Sequence, residues 1–291
     1  MRVYSHQSNQ IKSLLNFECF TFSGGEEHIR FDATQLNSIL DNSNCVIKFE
    51  IVERLTCSAK LIRLMLAVDA LKRLTHNNVP IELVIPYFPY ARQDRVCVEG
   101  EALGAAVMAT FINQLNFAKV TIWDAHSDVT PALINNVVNV PQVTLLKQNA
   151  QLSALLSAGE LTLISPDAGA TKKTMKIAES FNGDPDVVQA QKVRNLKTGE
   201  IDKTEILGDV KGKKVLIADD ICDGGRTFIE LAKVLKNQGA STVSLFITHG
   251  IFSKGLGVFE GLIDHIYTTD SFKAKNEFVV DSAINLTIIE L

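Results

Sequence analysis

Cysteine is scarce and carries no pattern: Cys19, Cys45, Cys57, Cys97 and Cys222 are odd in number, scattered, and free of CxxC spacing. That argues against a disulfide framework or a zinc site and points to a reducing compartment. No apolar run approaches transmembrane length, and the opening MRVYSHQSNQIKS has no signal-peptide core, so a cytoplasmic protein without a membrane partner is expected. No basic tract stands out either. With 29 Lys and Arg against 33 Asp and Glu, the balance argues against nucleic acid as the main partner. No stretch rich in Pro, Gly or Ser divides the chain, so any two domains are expected to be joined closely.

What is present is an alternation of apolar strand-like runs with helix-like runs, the pattern of a parallel sheet covered on both faces. CVIKFEIVE reads as a strand, and SAKLIRLMLAVDALKRLT follows as a helix with Leu61, Leu64, Met65, Val68 and Leu71 in one stripe. IELVIPYF, ALGAAVMATFINQL and KVTIWDA continue as strand, helix, strand. A second round begins near PQVTLL: strand LTLISPD, helix TKKTMKIAESF, strands around DVVQAQK and KVLIADD, helix TFIELAKVLKNQ and strand TVSLFITHG. The reading is two α/β domains, residues 1–145 and 146–291.

The most informative segment is KKVLIADDICDGGRTFIELAKVLKNQGA. Val215, Leu216, Ile217 and Ala218 form a buried strand, and Asp219 and Asp220 interrupt it at the carboxyl edge of the sheet, where ligands bind. Asp223, Gly224 and Gly225 make a turn whose glycines let backbone N–H groups approach an anion. Thr227 and Glu230 have capping-box spacing, Phe228, Leu231 and Leu235 give a helical stripe, and Gly239 supplies the stop. A phosphate would sit at the helix N-terminus.

Strand, DD, two residues, DGG and helix together resemble the ribose-phosphate loop of the phosphoribosyltransferase fold. A second segment, IELVIPYFPYARQDR at 81–95, resembles the signature of ribose-phosphate diphosphokinases, the PRPP synthetases. FSGGE at 22–26, IWDAHSD at 122–128, ISPDAG at 164–169, QKVR at 191–194 and GDVKGKKVLIADDICDGG at 208–225 keep that family's order. The resemblance implies two tandem phosphoribosyltransferase-like, Rossmann-like α/β domains with mainly parallel sheets. It also implies transfer of a diphosphate from ATP to the anomeric hydroxyl of a 5-phosphorylated ribose, releasing AMP, with Mg2+ as cofactor. A Walker-type ATPase is set aside because GDVKGKK lacks GxxxxGK[ST] spacing.

By this resemblance Asp219 and Asp220 hold the ribose hydroxyls and their metal, and Asp167 lies near both. Asp223, Gly224, Gly225, Arg226 and Thr227 cradle the 5-phosphate. Arg92, Gln93 and Asp94 line the nucleotide site, and His126 helps hold metal on the ATP phosphates. Phe22 and Glu26 match a motif reaching the adenine from a neighbouring subunit, which implies a homo-oligomer. Lys192 and Arg194, alternate residues at the base of a hairpin turned at Gly199, stabilise the migrating group.

The departures from the family pattern are informative too. Val96 to Ala106 contains neither Lys nor Arg, and Gly24 stands where an acidic or amide residue is usual. In DGGRT, Gly224 replaces a hydroxylated residue and Arg226 adds a five-donor fork that either grips a second phosphate or pairs with Glu230 one turn on. Ribose 5-phosphate is the expected acceptor, with ADP-ribose, feeding NAD synthesis, the alternative. A phosphoribosyltransferase would share the sugar loop but does not account for PYARQDR, DAH and KVR. A non-catalytic regulatory homologue fits the cation-poor loop but not the retained Lys192, Arg194, His126, Asp167, Asp219 and Asp220.

Overall fold

The computed structural model describes residues 1–8, 12–41, 46–194, 201–279 and 284–291. Cys45 and Gly199 lie outside them. The chain forms two compact units, Met1–Val140 and Pro141–Leu291. Among the described residues no helix is long and apolar enough to cross a membrane.

The first unit opens with strands β1 (Arg2–Gln7), β2 (Lys12–Leu14), β3 (Phe17–Thr21) and β4 (Glu27–Phe31), then helix α1 (Ala33–Asp41). The alternating part follows: β5 (Val46–Val52), α2 (Ser58–Leu74), β6 (Ile81–Ile85), α3 (Gly104–Gln114), β7 (Lys119–Trp123), α4 (Val129–Leu133) and β8 (Val137–Val140). The six-stranded sheet runs β2-β1-β5-β6-β7-β8, parallel from β5 to β8, with β1 and β2 added antiparallel at one side. β3 and β4 form a separate antiparallel hairpin. Phe49, Ile51, Leu83, Ile85 and Ile122 of the sheet pack in one core with Leu64, Val68 and Leu71 of α2 and Ile112 of α3. Leu61 and Met65, expected in the buried stripe of α2, are half-buried, and Ala67 takes a core position instead. Glu82 joins three strands through Lys48 and Lys119, each 2.9 Å away.

The second unit begins with α5 (Gln142–Gln148) and α6 (Ala150–Ser157), then β9 (Leu161–Ser165), α7 (Thr171–Glu179), β10 (Val187–Arg194) and β11 (Ile201–Leu207). β12 (Lys214–Cys222), α8 (Arg226–Asn237), β13 (Thr242–Gly250), β14 (His265–Thr269) and β15 (Asn285–Ile289) complete it. Its seven strands lie in the order β11-β10-β9-β12-β13-β14-β15, and only β11 is antiparallel to its neighbour. β9 is buried along its whole length, as expected of a strand covered on both faces. Phe228, Leu231, Ala232 and Leu235 of α8 pack in the same core as Val215 and Ile217 of β12 and Leu245 and Ile247 of β13.

Chain order fixes where this unit presents a crevice. From β9 the chain moves outward to β10 and β11, then returns to β9's other side as β12 and proceeds away. The order reverses between β9 and β12, and ligands of open α/β sheets bind at the carboxyl ends of strands at such a reversal. Phe246 is fully buried at the centre of β13. Phe246→Ala is expected to destabilise the protein by about 3–5 kcal/mol, read as a lower denaturant midpoint.

Candidate active site

β12 does not end at its paired aspartates. It pairs with β9 as far as Ile217↔Ile164, and then continues against β13 alone to Cys222↔Gly250. Asp219 and Asp220 therefore lie within an extended strand edge rather than in a turn, which corrects the expectation that they interrupt the strand. Asp220 is buried, whereas Asp219 keeps some exposed surface although its carboxyl is enclosed. Burial first, then the Asp220 and Asp167 carboxylates, push the Asp219 carboxyl well above the usual carboxylate range.

Asp167 follows β9. Its Oδ1 accepts from the Ala170 amide at 3.1 Å, and its carbonyl accepts from Ser165 Oγ at 2.7 Å and Thr171 Oγ1 at 3.2 Å. These bonds wind the SPDAGAT turn into α7 and bring Asp167 to the crevice beside Asp219. Among the described residues no group of three or more His, Cys, Asp or Glu side chains forms a ready metal cage. A crowded carboxylate pair fits Mg2+, which usually takes one or two protein carboxylates and fills its remaining positions with water and substrate phosphates.

After Cys222 the chain turns through Asp223, Gly224 and Gly225 into α8. Gly225, at φ +79°, is the N-cap and has no side chain with which to cap the helix. Thr227 lies inside the helix, so the capping box expected from Thr227 and Glu230 does not form; Glu230 pairs instead with Lys233 at 2.9 Å. The cause is steric: a Cβ on Gly225 would lie 2.5 Å from Cζ of buried Phe259, so the left-handed glycine fixes where the helix begins. The first turn of a helix presents amide donors of the kind that suit an anion. Gly224 has no such constraint, since a Cβ there would meet only Lys254 carbons at 3.7 and 3.8 Å. Arg226 is exposed and makes no ion pair among the described residues. The Cys222 thiol is buried in this loop, and burial, Asp219 and Asp223 push it up to about 12, so it is no nucleophile.

Lys192 and Arg194 lie on β10, which forms a hairpin with β11; the ladder register shifts between Val193 and Arg194. Their side chains lie outside the described residues.

In the first unit, β6 and β7 are parallel neighbours, paired to Ile85↔Ile122, so the loops after them leave the same sheet edge. One carries Arg92, Gln93 and Asp94; the other carries His126. Arg92, Gln93 and His126 are exposed, and Gln93 lies against Gly104 at the start of α3, where a Cβ would collide with its amide oxygen. Tyr90 at φ 61° and buried Asp124 at φ 42° take left-handed backbone at the two strand exits. In the cation-poor loop Glu101 accepts from the amides of Cys97 at 2.9 Å and Val98 at 3.2 Å, so its charge serves the loop's own backbone. Phe22 and Glu26 sit apart from that edge, on the tip of the β3–β4 hairpin. Exposed Phe22 meets Phe20 with ring centroids 4.9 Å apart, and Gly24 leaves room for the Glu26 carboxylate to fold back. The Arg63–Glu27 ion pair ties the hairpin to α2.

The comparisons with known proteins agree with these two units. The family model for the N-terminal domain of ribose phosphate pyrophosphokinase matches residues 7–115, and that for the phosphoribosyl transferase domain matches residues 145–269. The ribose-phosphate pyrophosphokinase of Mycoplasma genitalium is 30% identical over 282 residues, covering 91% of this chain and 80% of that protein. The chain belongs to the ribose-phosphate pyrophosphokinase family. The Mycoplasma pneumoniae member is 30% identical over 86% of this chain and 74% of its own length. The Mycoplasmopsis pulmonis member is 31% identical over 72% of this chain, which spans 64% of that relative. The crystal structure of phosphoribosylpyrophosphate synthetase from Mycobacterium smegmatis shares the fold, with a TM-score of 0.76 at 21% identity over 96% of this chain and 87% of that one.

One residue at the crevice escaped the sequence reading. Gln142, buried at the start of α5, donates to the Asp219 carbonyl at 2.7 Å. Nothing local marks it, because its partner lies 77 residues away.

Two outcomes are expected from this geometry. Gly225→Ala should cost about 1–2 kcal/mol in backbone conformation and about 1–3 kcal/mol in overpacking against Phe259, while Gly224→Ala is tolerated; thermal unfolding of both variants checks this. A carboxyl raised above its unfolded value keeps its proton in the folded state where the unfolded chain has lost it. Asp219 thus favours folding below its unfolded pKa and loses that contribution as pH rises through the raised one. Asp219→Asn should raise the melting temperature of the metal-free protein at neutral pH; an unchanged or lower value would contradict the crowding.

Proposed function

We propose that this chain transfers the β,γ-diphosphate of ATP to the anomeric hydroxyl of a 5-phosphorylated ribose and releases AMP, with ribose 5-phosphate as acceptor. The observation carrying the reading is the crevice of the second unit. There the carboxylates Asp167, Asp219 and Asp220 lie close to the glycine-capped start of α8. One feature suits sugar hydroxyls and a cation, and the other suits a phosphate.

In this reading residues 1–145 supply the ATP-binding domain and 146–291 the sugar-phosphate domain. The backbone from Asp223 to Thr227 holds the 5-phosphate, and Asp219 and Asp220 orient the ribose hydroxyls. Arg92, Gln93, Asp94 and His126 hold ATP, and Phe22 and Glu26 complete the adenine site of a neighbouring copy in a homo-oligomer. The exposed pairing of Phe22 with Phe20 supports a surface that is covered on assembly. Asp167, Asp219, Asp220 and His126 would hold Mg2+, which offsets phosphate charge. The anomeric oxygen attacks the β-phosphorus. The new O–P bond forms as the bond from that phosphorus to the α-phosphate bridging oxygen breaks, AMP leaves, and the hydroxyl proton passes to water. Lys192 and Arg194 stabilise the charge on the migrating group.

A second reading, ADP-ribose as acceptor, is favoured by two cations beside the phosphate loop: exposed Arg226, and Lys254, whose side chain lies over Gly224. A second phosphate would find donors there, where a terminal monophosphate needs fewer.

The deciding experiment is AMP release from Mg-ATP with ribose 5-phosphate and ADP-ribose in parallel, each product identified by mass. A gain of one diphosphate on ribose 5-phosphate supports the first reading, selective reaction with ADP-ribose supports the second, and silence with both rejects the activity. Lys192→Ala is expected to lower turnover about a hundredfold or more, as loss of a transition-state donor does; wild-type turnover would remove Lys192 from the mechanism.

A further inference from the structure

We propose that Gln142 is a positioning residue for the Asp219–Asp220 carboxylates, acting through the backbone of β12. This rests on the pyrophosphokinase reading of that crevice. Gln142 is 5% exposed, and its Nε2 donates to the Asp219 carbonyl at 2.7 Å and to Thr248 Oγ1 at 3.1 Å. The first bond falls past the last pairing of β12 with β9 at Ile217↔Ile164, where that ladder no longer holds the strand on the β9 side. The second reaches the neighbouring strand: Thr248 follows Ile247, which is in register with Asp219. A single amide thus ties together the ends of β12 and β13 at the height of the carboxylates.

The far side of this tie is itself fixed. The Thr248 carbonyl accepts from Thr269 Oγ1 at 2.6 Å and Ser271 Oγ at 2.8 Å, and Ser271 Oγ lies 2.9 Å from His249 Nδ1. Thr248, Thr269 and Ser271 are fully buried and His249 nearly so, which keeps water from substituting for any member. Two carboxyls on adjacent residues repel one another and a third faces them. An edge held only by its β13 ladder would yield to that repulsion, and Gln142 joins it to a rigid buried network. Groups of this kind act on a metal or sugar site without touching the ligand, and their loss typically costs about 10- to 100-fold in metal affinity or activity.

The test uses Gln142→Leu, which keeps the volume and removes the donor, and Gln142→Glu, which keeps the shape but at neutral pH accepts rather than donates. Mn2+ uptake by the full chain is measured by electron paramagnetic resonance. The kinetic constants for AMP release are measured beside it, with separate KM values for ATP and for the acceptor. The expected result is Mn2+ binding weakened about tenfold or more, kcat lowered with it, KM for ATP unchanged, and a larger loss for Gln142→Glu. Folded Gln142→Leu with wild-type Mn2+ affinity and kcat would overturn the proposal. So would a lower melting temperature with unaltered Mn2+ affinity per folded molecule, which would make Gln142 a purely structural residue, or a wild-type chain that takes up no Mn2+. If Gln142→Leu does not fold, Gln142→Glu decides on the same criteria. Wild-type protein silent towards both acceptors, with Mn2+ binding still dependent on Gln142, would reject the activity and leave the positioning role standing.

Discussion

Like-charge crowding at the exit of β12 is the constraint on which the second unit depends. Asp219 and Asp220 are neighbours in one strand, Asp167 approaches from the turn after β9, and burial removes the water that would screen them. Left alone, such a group relieves itself by taking up a proton or by moving apart. The fold blocks the second escape: β13 pairs with the strand through Cys222, Gln142 grips the Asp219 carbonyl, and Phe259 closes over Gly225 just beyond. What remains is a site that gains from a cation or from hydroxyl donors.

Charge is distributed unevenly in the first unit as well, where the loop from Val96 to Ala106 carries no Lys or Arg. Of its two acidic residues, Glu101 is turned onto the Cys97 and Val98 amides, while Glu99 is exposed. Arg92, exposed on the preceding turn, is a cation of that segment.

How much of this could be read in the sequence follows from the range of each interaction. Strands β5, β6, β7, β9, β10, β12 and β13 and helices α2, α3, α7 and α8 sit where the apolar pattern placed them, whereas the short parallel strands β8, β14 and β15 did not stand out. The N-terminal strands did not stand out, because β1 buries Ser5 and Gln7 and so shows no apolar run. At α8 a local signature misled: Thr227 and Glu230 have cap spacing, but the left-handed Gly225, which has no room for a side chain against Phe259, is the N-cap, so Thr227 falls inside the helix. Arg226 and Glu230 have pairing distance along the helix, yet Lys233 takes the carboxylate. Gln142 was invisible for a different reason, since its partners lie 77 and 106 residues away and nothing in PQVTLL distinguishes it from a surface glutamine.

These differences of range also bear on where acceptor specificity can reside. Gly225 is pinned by conformation and by contact, and Asp219 and Asp220 by the network behind them, so changing any of these disturbs the site before it alters preference. Gly224 has an ordinary backbone and open space towards Lys254, and Arg226 points outward without an ion pair among the described residues. Positions free of structural duty are those at which a substitution changes the surface of the loop without moving its strands. Three of them, Gly224, Arg226 and Lys254, converge on the same loop, and two carry positive charge. Side chains alone can therefore alter the charge beside this loop, without any adjustment of the strands behind it.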